Sequence, residues 1–211
     1  MRTEDLDEQS FARGVRALCR ADPDLRAVVK NFGPPPMWVR PPGFATLVQI
    51  ILEQQVSLAS ARAVYRKLCD RTGRPTANRF LELDDTELRG CGFSRQKAAY
   101  CRGLAETVAA GKLKLGRLAR FDDEAVRATL LRIRGIGNWT ADIYLLMALR
   151  RPDVWPLGDL ALDNALREVK RLRKRPTEKR LAKITRAWVP WRSVAARVCW
   201  HHYLSVRGLK V

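Results

Sequence analysis

The chain has 211 residues, 46% of them hydrophobic, which is enough for a sizeable core and argues against intrinsic disorder. Forty Lys and Arg against 22 Asp and Glu leave a formal charge of +18, so a polyanionic partner is expected, nucleic acid first. No apolar run approaches the ~20 residues of a membrane span, and the acidic, polar start MRTEDLDEQS lacks the apolar stretch of a secretory signal, so a cytoplasmic protein with no membrane partner is expected.

Helical periodicity runs through almost the whole chain, with no convincing alternating strand. In order, the pattern predicts helices over 6–20, 23–30, 43–54, 58–71, a short one over 86–90, then 94–110, 122–133, 138–149, 160–170, 177–188 and 192–206. Asp22-Pro23, Ser57, Ser94, Asp122, Asn138 and Thr177 stand where N-caps belong. Breaks are rich in proline or glycine at 33–36, 41–43, 135–137 and 151–158. The expectation is a single compact all-α unit over 1–211, two-lobed with a central cleft.

Charge is concentrated towards the end. Residues 165–211 hold fourteen basic side chains against Glu168 and Glu178, a net +12. Cys19, Cys69, Cys91, Cys101 and Cys199 are scattered, odd in number and never C-x-x-C. That spacing speaks against a disulfide framework and against a four-cysteine metal or iron–sulfur site. His201 and His202 are the only histidines, and as neighbours on a helix they point to different faces, a poor zinc pair.

The stretch that carries chemistry is 130–163, LLRIRGIGNWTADIYLLMALRRPDVWPLGDLALD. A helix ends, Gly135-Ile136-Gly137 makes a tight hairpin over 130–150, and a second helix starts at once. Two glycines one residue apart leave backbone N–H groups uncovered, an arrangement suited to one phosphate as well as to a plain helix–turn–helix connection. The next helix, about 12 residues, travels roughly 18 Å. The loop over 150–158 can span that distance and bring Asp159 back, as a helix cap, a reactive carboxylate, or both.

These residues resemble the helix-hairpin-helix DNA glycosylase superfamily, and within it the branch of DNA-3-methyladenine glycosylase II. Gly135 and Gly137 match the hairpin glycines, Pro156 and Gly158 the Gly/Pro loop, and Asp159 the catalytic aspartate. FATLVQIILEQQVSLAS (44–60), GFSRQK (92–97) and WVPWRSVAARVCWHHY (188–203) match further motifs in the family's order, so the likeness covers about 35–205. The resemblance implies a monofunctional enzyme that flips an alkylated base out of double-stranded DNA and hydrolyses its N-glycosidic bond in base excision repair. It implies Trp139 and Trp200 as base-pocket aromatics, Gln55 as the side chain filling the vacated stack, and Gly135, Gly137, Thr140, Ser94 and Lys97 as phosphate contacts. No organic cofactor and no iron–sulfur cluster are implied; a structural monovalent cation on the carbonyls of Leu131, Ile133 and Ile136 is the one ion the resemblance allows. A monomer is expected.

Departures from the family pattern sharpen the expectation. Trp139 stands where bifunctional relatives carry a catalytic lysine, and a Trp forms no Schiff base, so no lyase step is expected. Ile143 stands where some relatives place a base-contacting tyrosine. The chain is too short for the extra N-terminal β-domain of longer alkylation glycosylases, which makes Met37-Trp38 a candidate replacement wall. Asp142, Asp153 and Asp163 are rival carboxylates, and Trp155, Trp188 and Trp191 read as core. The alternatives are a non-catalytic helix-hairpin-helix DNA-binding protein, which needs neither Asp159 nor the aromatics, and a glycosylase of the same superfamily for oxidised or mismatched bases.

Overall fold

The computed structural model describes residues 5–209, and among them every regular element is helical. They group into two compact units, one over 40–149 and one over 5–39 with 150–209. No described helix is long and apolar enough to cross a membrane.

The unit over 40–149 holds α3 (Phe44–Glu53), α4 (Leu58–Thr72), α5 (Ala77–Leu81), α6 (Asp85–Cys91), α7 (Arg95–Ala109), α8 (Asp123–Leu131) and α9 (Asn138–Ile143). α3 is its apolar centre, with Leu47, Val48, Ile50 and Ile51 fully buried. It packs against α4, α7 and α9. Most starts carry the side-chain caps expected of them: Ser57 accepts from the Ser60 amide, Ser94 from Lys97 and Asp122 from Ala125. α5, capped by Thr76, and a 3-10 turn over Leu115–Arg120 add to the elements that periodicity predicts. So does the π turn over Tyr144–Ala148 that continues α9, where the Leu149 amide reaches back to the Tyr144 carbonyl at 3.0 Å. The Met147 carbonyl in that wider turn accepts from the Arg40 amide, and the Tyr144 hydroxyl accepts from the Gly43 amide, both at 3.0 Å.

The second unit holds α1 (Glu8–Ala21), α2 (Pro23–Phe32), α10 (Leu160–Val169), α11 (Glu178–Arg186) and α12 (Arg192–Val206). α12 is its axis, buried over Ser193–Trp200 and packed by α1, α2 and α10. Gly14 on α1 is required there: a Cβ would lie 2.8 Å from the Trp191 ring. Asp22 ties the unit together. It caps α2, accepts from the Lys170 ammonium at 2.6 and 2.7 Å, and takes the buried Trp188 indole N–H at 2.8 Å. Trp155, tilted against Trp188, and Trp188 itself are core residues as expected, while Trp191 is half-buried over Gly14.

Burial raises the Asp22 pKa, but hydrogen bonds from Lys170 and Trp188 outweigh it and hold the carboxyl below its usual range. Its contribution to stability is therefore present above the usual carboxylate pKa and lost as pH falls through the lower, folded-state value. Asp22→Asn should cost about 3 kcal/mol at neutral pH, because it leaves Lys170 poorly paired and half-buried. In urea unfolding, the gap between variant and wild type should narrow as pH is lowered through the carboxylate range; a gap independent of pH would exclude this role.

Candidate functional site

The hairpin between α8 and α9 is held by geometry that glycine alone provides at one position. Gly135 has φ of +89°, and a Cβ there would lie 2.2 Å from Cγ of Tyr100. Gly137 differs. Its backbone is extended, it is exposed, and a Cβ would meet nothing within 4 Å. The first glycine is thus demanded by the fold. The second leaves open space beside a bare backbone.

α3 reaches this hairpin through Gln54, whose side-chain amide donates to the Gly135 carbonyl and to the Thr140 hydroxyl, both at 2.9 Å. The two adjacent glutamines at the end of α3 therefore separate. Gln54 is half-buried and braces the hairpin; Gln55 is exposed, with φ of +57°, followed by exposed Val56 and Leu58. A non-glycine residue in the left-handed region is held there against its preference. Thr140, 1% exposed, takes the Gln54 amide, so what it offers a ligand is backbone rather than hydroxyl.

Ser94 caps α7 and is exposed, but the Lys97 ammonium points inward. It donates to the carbonyls of Leu52 at 2.6 Å and Gln54 at 2.8 Å, at the C-terminal end of α3. Burial draws its pKa below the usual lysine range. Two of its three N–H groups are committed to that turn. Gln96 is hydrogen-bonded to the Tyr100 hydroxyl at 2.7 Å, and neither residue is among the sequence candidates. A groove of about 410 Å³ is lined by Gln54, Gln55, Gln96, Lys97, Tyr100 and the hairpin residues Gly135, Ile136 and Gly137. The sequence signal that could find Gln96 and Tyr100 is their place in the first two turns of the helix that Ser94 caps. Of the hairpin carbonyls, that of Ile133 already accepts the Ile136 amide at 3.0 Å. Among the described residues no three His, Cys, Asp or Glu side chains gather as metal ligands.

In the second unit Asp159 caps α10, accepting the Leu162 amide at 2.8 Å. The Trp200 indole N–H lies 3.5 Å from the same carboxylate oxygen, so α12 delivers an aromatic edge to the carboxylate. Asp159 is half-buried and follows Gly158, whose φ of +80° turns the loop into the helix. Leu157 and Leu160 flank it at 54% and 61% exposed. One turn on, burial and then the Asp159 charge raise the Asp163 pKa, which Arg175 opposes. The other rivals are engaged in ion pairs: Asp142 with Arg127 at 2.6 Å, and Asp153 with Arg192 through two bonds of 2.8 Å. Trp139 is half-buried on α9 and belongs to the hairpin's unit. Asp159 and Trp200 are thus brought together in one unit, and Gln55, Gly135, Gly137 and Thr140 in the other.

The basic C-terminal segment is partly structural. Lys170 holds Asp22, Arg192 holds Asp153, Arg207 holds Glu168 and Arg197 is fully buried. Exposed charge remains on Arg171, Arg173, Lys174 and Arg175 and on the α11 residues Lys179, Arg180, Lys183 and Arg186. Lys210 lies outside the described residues.

Residues 48–191 match the model of the HhH-GPD superfamily of base excision DNA repair proteins. The chain is 30% identical over 210 residues to DNA-3-methyladenine glycosylase 1 of Schizosaccharomyces pombe, covering 94% of this chain and 92% of that one. It is 27% identical to a DNA-3-methyladenine glycosylase of Bacillus subtilis, over 87% of this chain but only 64% of that protein's length. Among solved structures, an S. pombe 3-methyladenine DNA glycosylase in complex with abasic DNA superposes with a TM-score of 0.82 at 26% identity, over 92% of this chain and 97% of that one. A DNA-3-methyladenine glycosidase from Bacillus halodurans gives 0.74 at 27% identity, over 99% and 95%.

The two hairpin glycines should respond differently to the same change. Gly135→Ala should lose about 2–5 kcal/mol in urea unfolding, from the left-handed backbone and the Tyr100 collision together. Gly137→Ala should stay within about 1 kcal/mol of wild type. Equal losses would contradict the division of roles.

Proposed function

Because the chain belongs to the HhH-GPD superfamily of base excision DNA repair proteins, we propose that it is a monofunctional DNA glycosylase that hydrolyses the N-glycosidic bond of alkylated bases of the 3-methyladenine type. The observation that carries this reading is the half-buried Asp159 carboxylate, fixed by the Leu162 amide and edged by the Trp200 indole.

The exposed basic residues around α11 hold duplex backbone without regard to sequence. The bare backbone at Gly137, beside the groove that Gln55 and Gln96 line, receives one phosphate; Ser94 assists at the start of α7, and Lys97 contributes mainly by fixing the turn. Gln55 enters the stack when the damaged nucleotide flips. Its left-handed backbone and exposed neighbours Val56 and Leu58 support that role. Trp139 and Trp200 offer aromatic faces to a base that alkylation has made cationic.

An alkylated purine is a good leaving group. Its bond electrons stay on the base nitrogen while positive charge grows on the sugar, where Asp159 stabilises it. Water then adds at C1′, its proton passing to Asp159 or to solvent, and an abasic site remains. Trp139, at the nucleophile position of bifunctional relatives, has no amine to offer a covalent step. A monovalent cation on the carbonyls of Leu131, Ile133 and Ile136 would be structural, and no step runs through an ion.

The test is release of free bases from methylated duplex DNA, resolved by chromatography. Asp159→Asn keeps a capping side chain but removes the charge, and should lower release on the order of 10²-fold while binding to abasic DNA survives. Full activity in the Asn variant would remove Asp159 from the chemistry. Borohydride should trap no covalent adduct, and strands should break only after alkali. Binding to undamaged duplex should weaken steeply with salt. Replacing Lys179, Arg180 and Lys183 with Gln should reduce the slope of log K against log salt by about 0.9 for each phosphate that is no longer neutralised. An unchanged slope would take α11 off the DNA.

A further inference from the structure

Asp163 stands one turn along α10 from Asp159, and its amide donates to the Asp159 carbonyl at 2.8 Å. Residues four apart lie on one face of a helix, and every Cα–Cβ bond tilts towards the helix start. The Asp163 side chain therefore leans towards the Asp159 carboxylate. It is half-buried, and its carboxylate makes no hydrogen bond or ion pair with any described residue.

That sets it apart from the other acids withdrawn from water. Asp22, Glu53, Asp142, Asp153 and Glu168 each pair with a Lys or an Arg. The positive group that acts on Asp163 is Arg175, but its Nε is committed to the Asn164 side-chain oxygen at 3.1 Å and its side chain is exposed. The Asp159 charge acts in the opposite sense. Like charges one turn apart repel, and a partly desolvated charge without a partner is costly. The face of α10 that begins at Asp159 is thus short of one positive charge, and base release creates one on the sugar.

We infer that Asp163 is a specificity-determining residue of the reaction, an unpaired carboxylate whose charge adds through space to that of Asp159 and favours a cationic sugar over a neutral one. This rests on the reading of Asp159 as the carboxylate that faces the reacting sugar. The role asks for a charge at this position and for no direct contact with the substrate. A purely structural account is that an acid near a helix start gains from the helix dipole. That account attaches no ligand to the charge.

Two abasic duplexes separate the accounts. One carries a pyrrolidine in place of the sugar, cationic at neutral pH; the other carries a tetrahydrofuran of nearly the same shape, which is neutral. Wild type should bind the pyrrolidine duplex more tightly. Asp163→Asn should lower that affinity about fivefold, as expected for one charge acting across a turn of helix at a partly wet surface, and should bind the tetrahydrofuran duplex as wild type does. Asp163→Glu, which keeps the charge, should restore most of the preference. Single-turnover release of 7-methylguanine from methylated duplex should fall and recover in parallel. An unchanged preference for pyrrolidine in the Asn variant would overturn the inference. So would equal losses on both duplexes with a lowered melting temperature, which would leave Asp163 the helix dipole alone. A wild type without preference for the cation, together with full base release by Asp159→Asn, would instead overturn the reading of Asp159, before any Asp163 variant is compared.

Discussion

The bridge from Gln54 to the hairpin is the constraint on which the unit over 40–149 depends. One side-chain amide satisfies the Gly135 carbonyl and the Thr140 hydroxyl together. Its own backbone carbonyl, with that of Leu52, is held by Lys97. Lys97 sits on α7, and one turn further Tyr100 fills the space that Gly135 leaves by having no Cβ. Three helices and a turn are thus fastened through one small polar network in a partly buried place, where hydrogen bonds are strong and unmade ones costly. Gln55, next to Gln54 but turned outward, inherits a fixed position from this network without taking part in it.

The second unit is organised by the same means at a different place. Asp22 gathers a helix start, an ammonium and an indole. Asp159, too, gathers a helix start and an indole. The two sites differ in what surrounds them. Asp22 is buried among the groups that neutralise it. Asp159 is flanked along the chain by the exposed Leu157 and Leu160, and a second carboxylate, Asp163, stands one turn on. One arrangement closes a core; the other sets a carboxylate among apolar side chains that water still reaches.

Helices and their starts are legible in the sequence because periodicity and capping are local. The helices from α1 to α12 begin within about three residues of their expected places, α5 excepted. α5 is five residues long, too short for a periodic signal, and the π turn after α9 has the same apolar pattern as an ordinary helix end. Asp159 and Trp200 are readable as candidates only through their motifs, since nothing local shows that 41 residues of separation close to 3.5 Å. Lys97 shows the limit most clearly. A lysine three residues after a helix cap looks like a phosphate contact, and its side chain turns inward because two carbonyls at the end of α3 accept from it. The division between Gln54 and Gln55 is equally hidden, because it depends on the left-handed backbone of one residue.

Asp159 starts α10 with the same oxygen that faces Trp200. On the proposed chemistry, stability and reaction weigh on one atom and ask different things of it. Helix capping is content with Asn, Ser or Thr at this position, whereas charge stabilisation needs a carboxylate. A lineage that no longer needs the reaction would lose the charge first and keep the cap, drifting to Asn or Ser while the helix and the unit around it stay intact. Descendants of that kind would still fold, would keep the exposed basic side chains around α11, and would differ from the present chain by a single functional group.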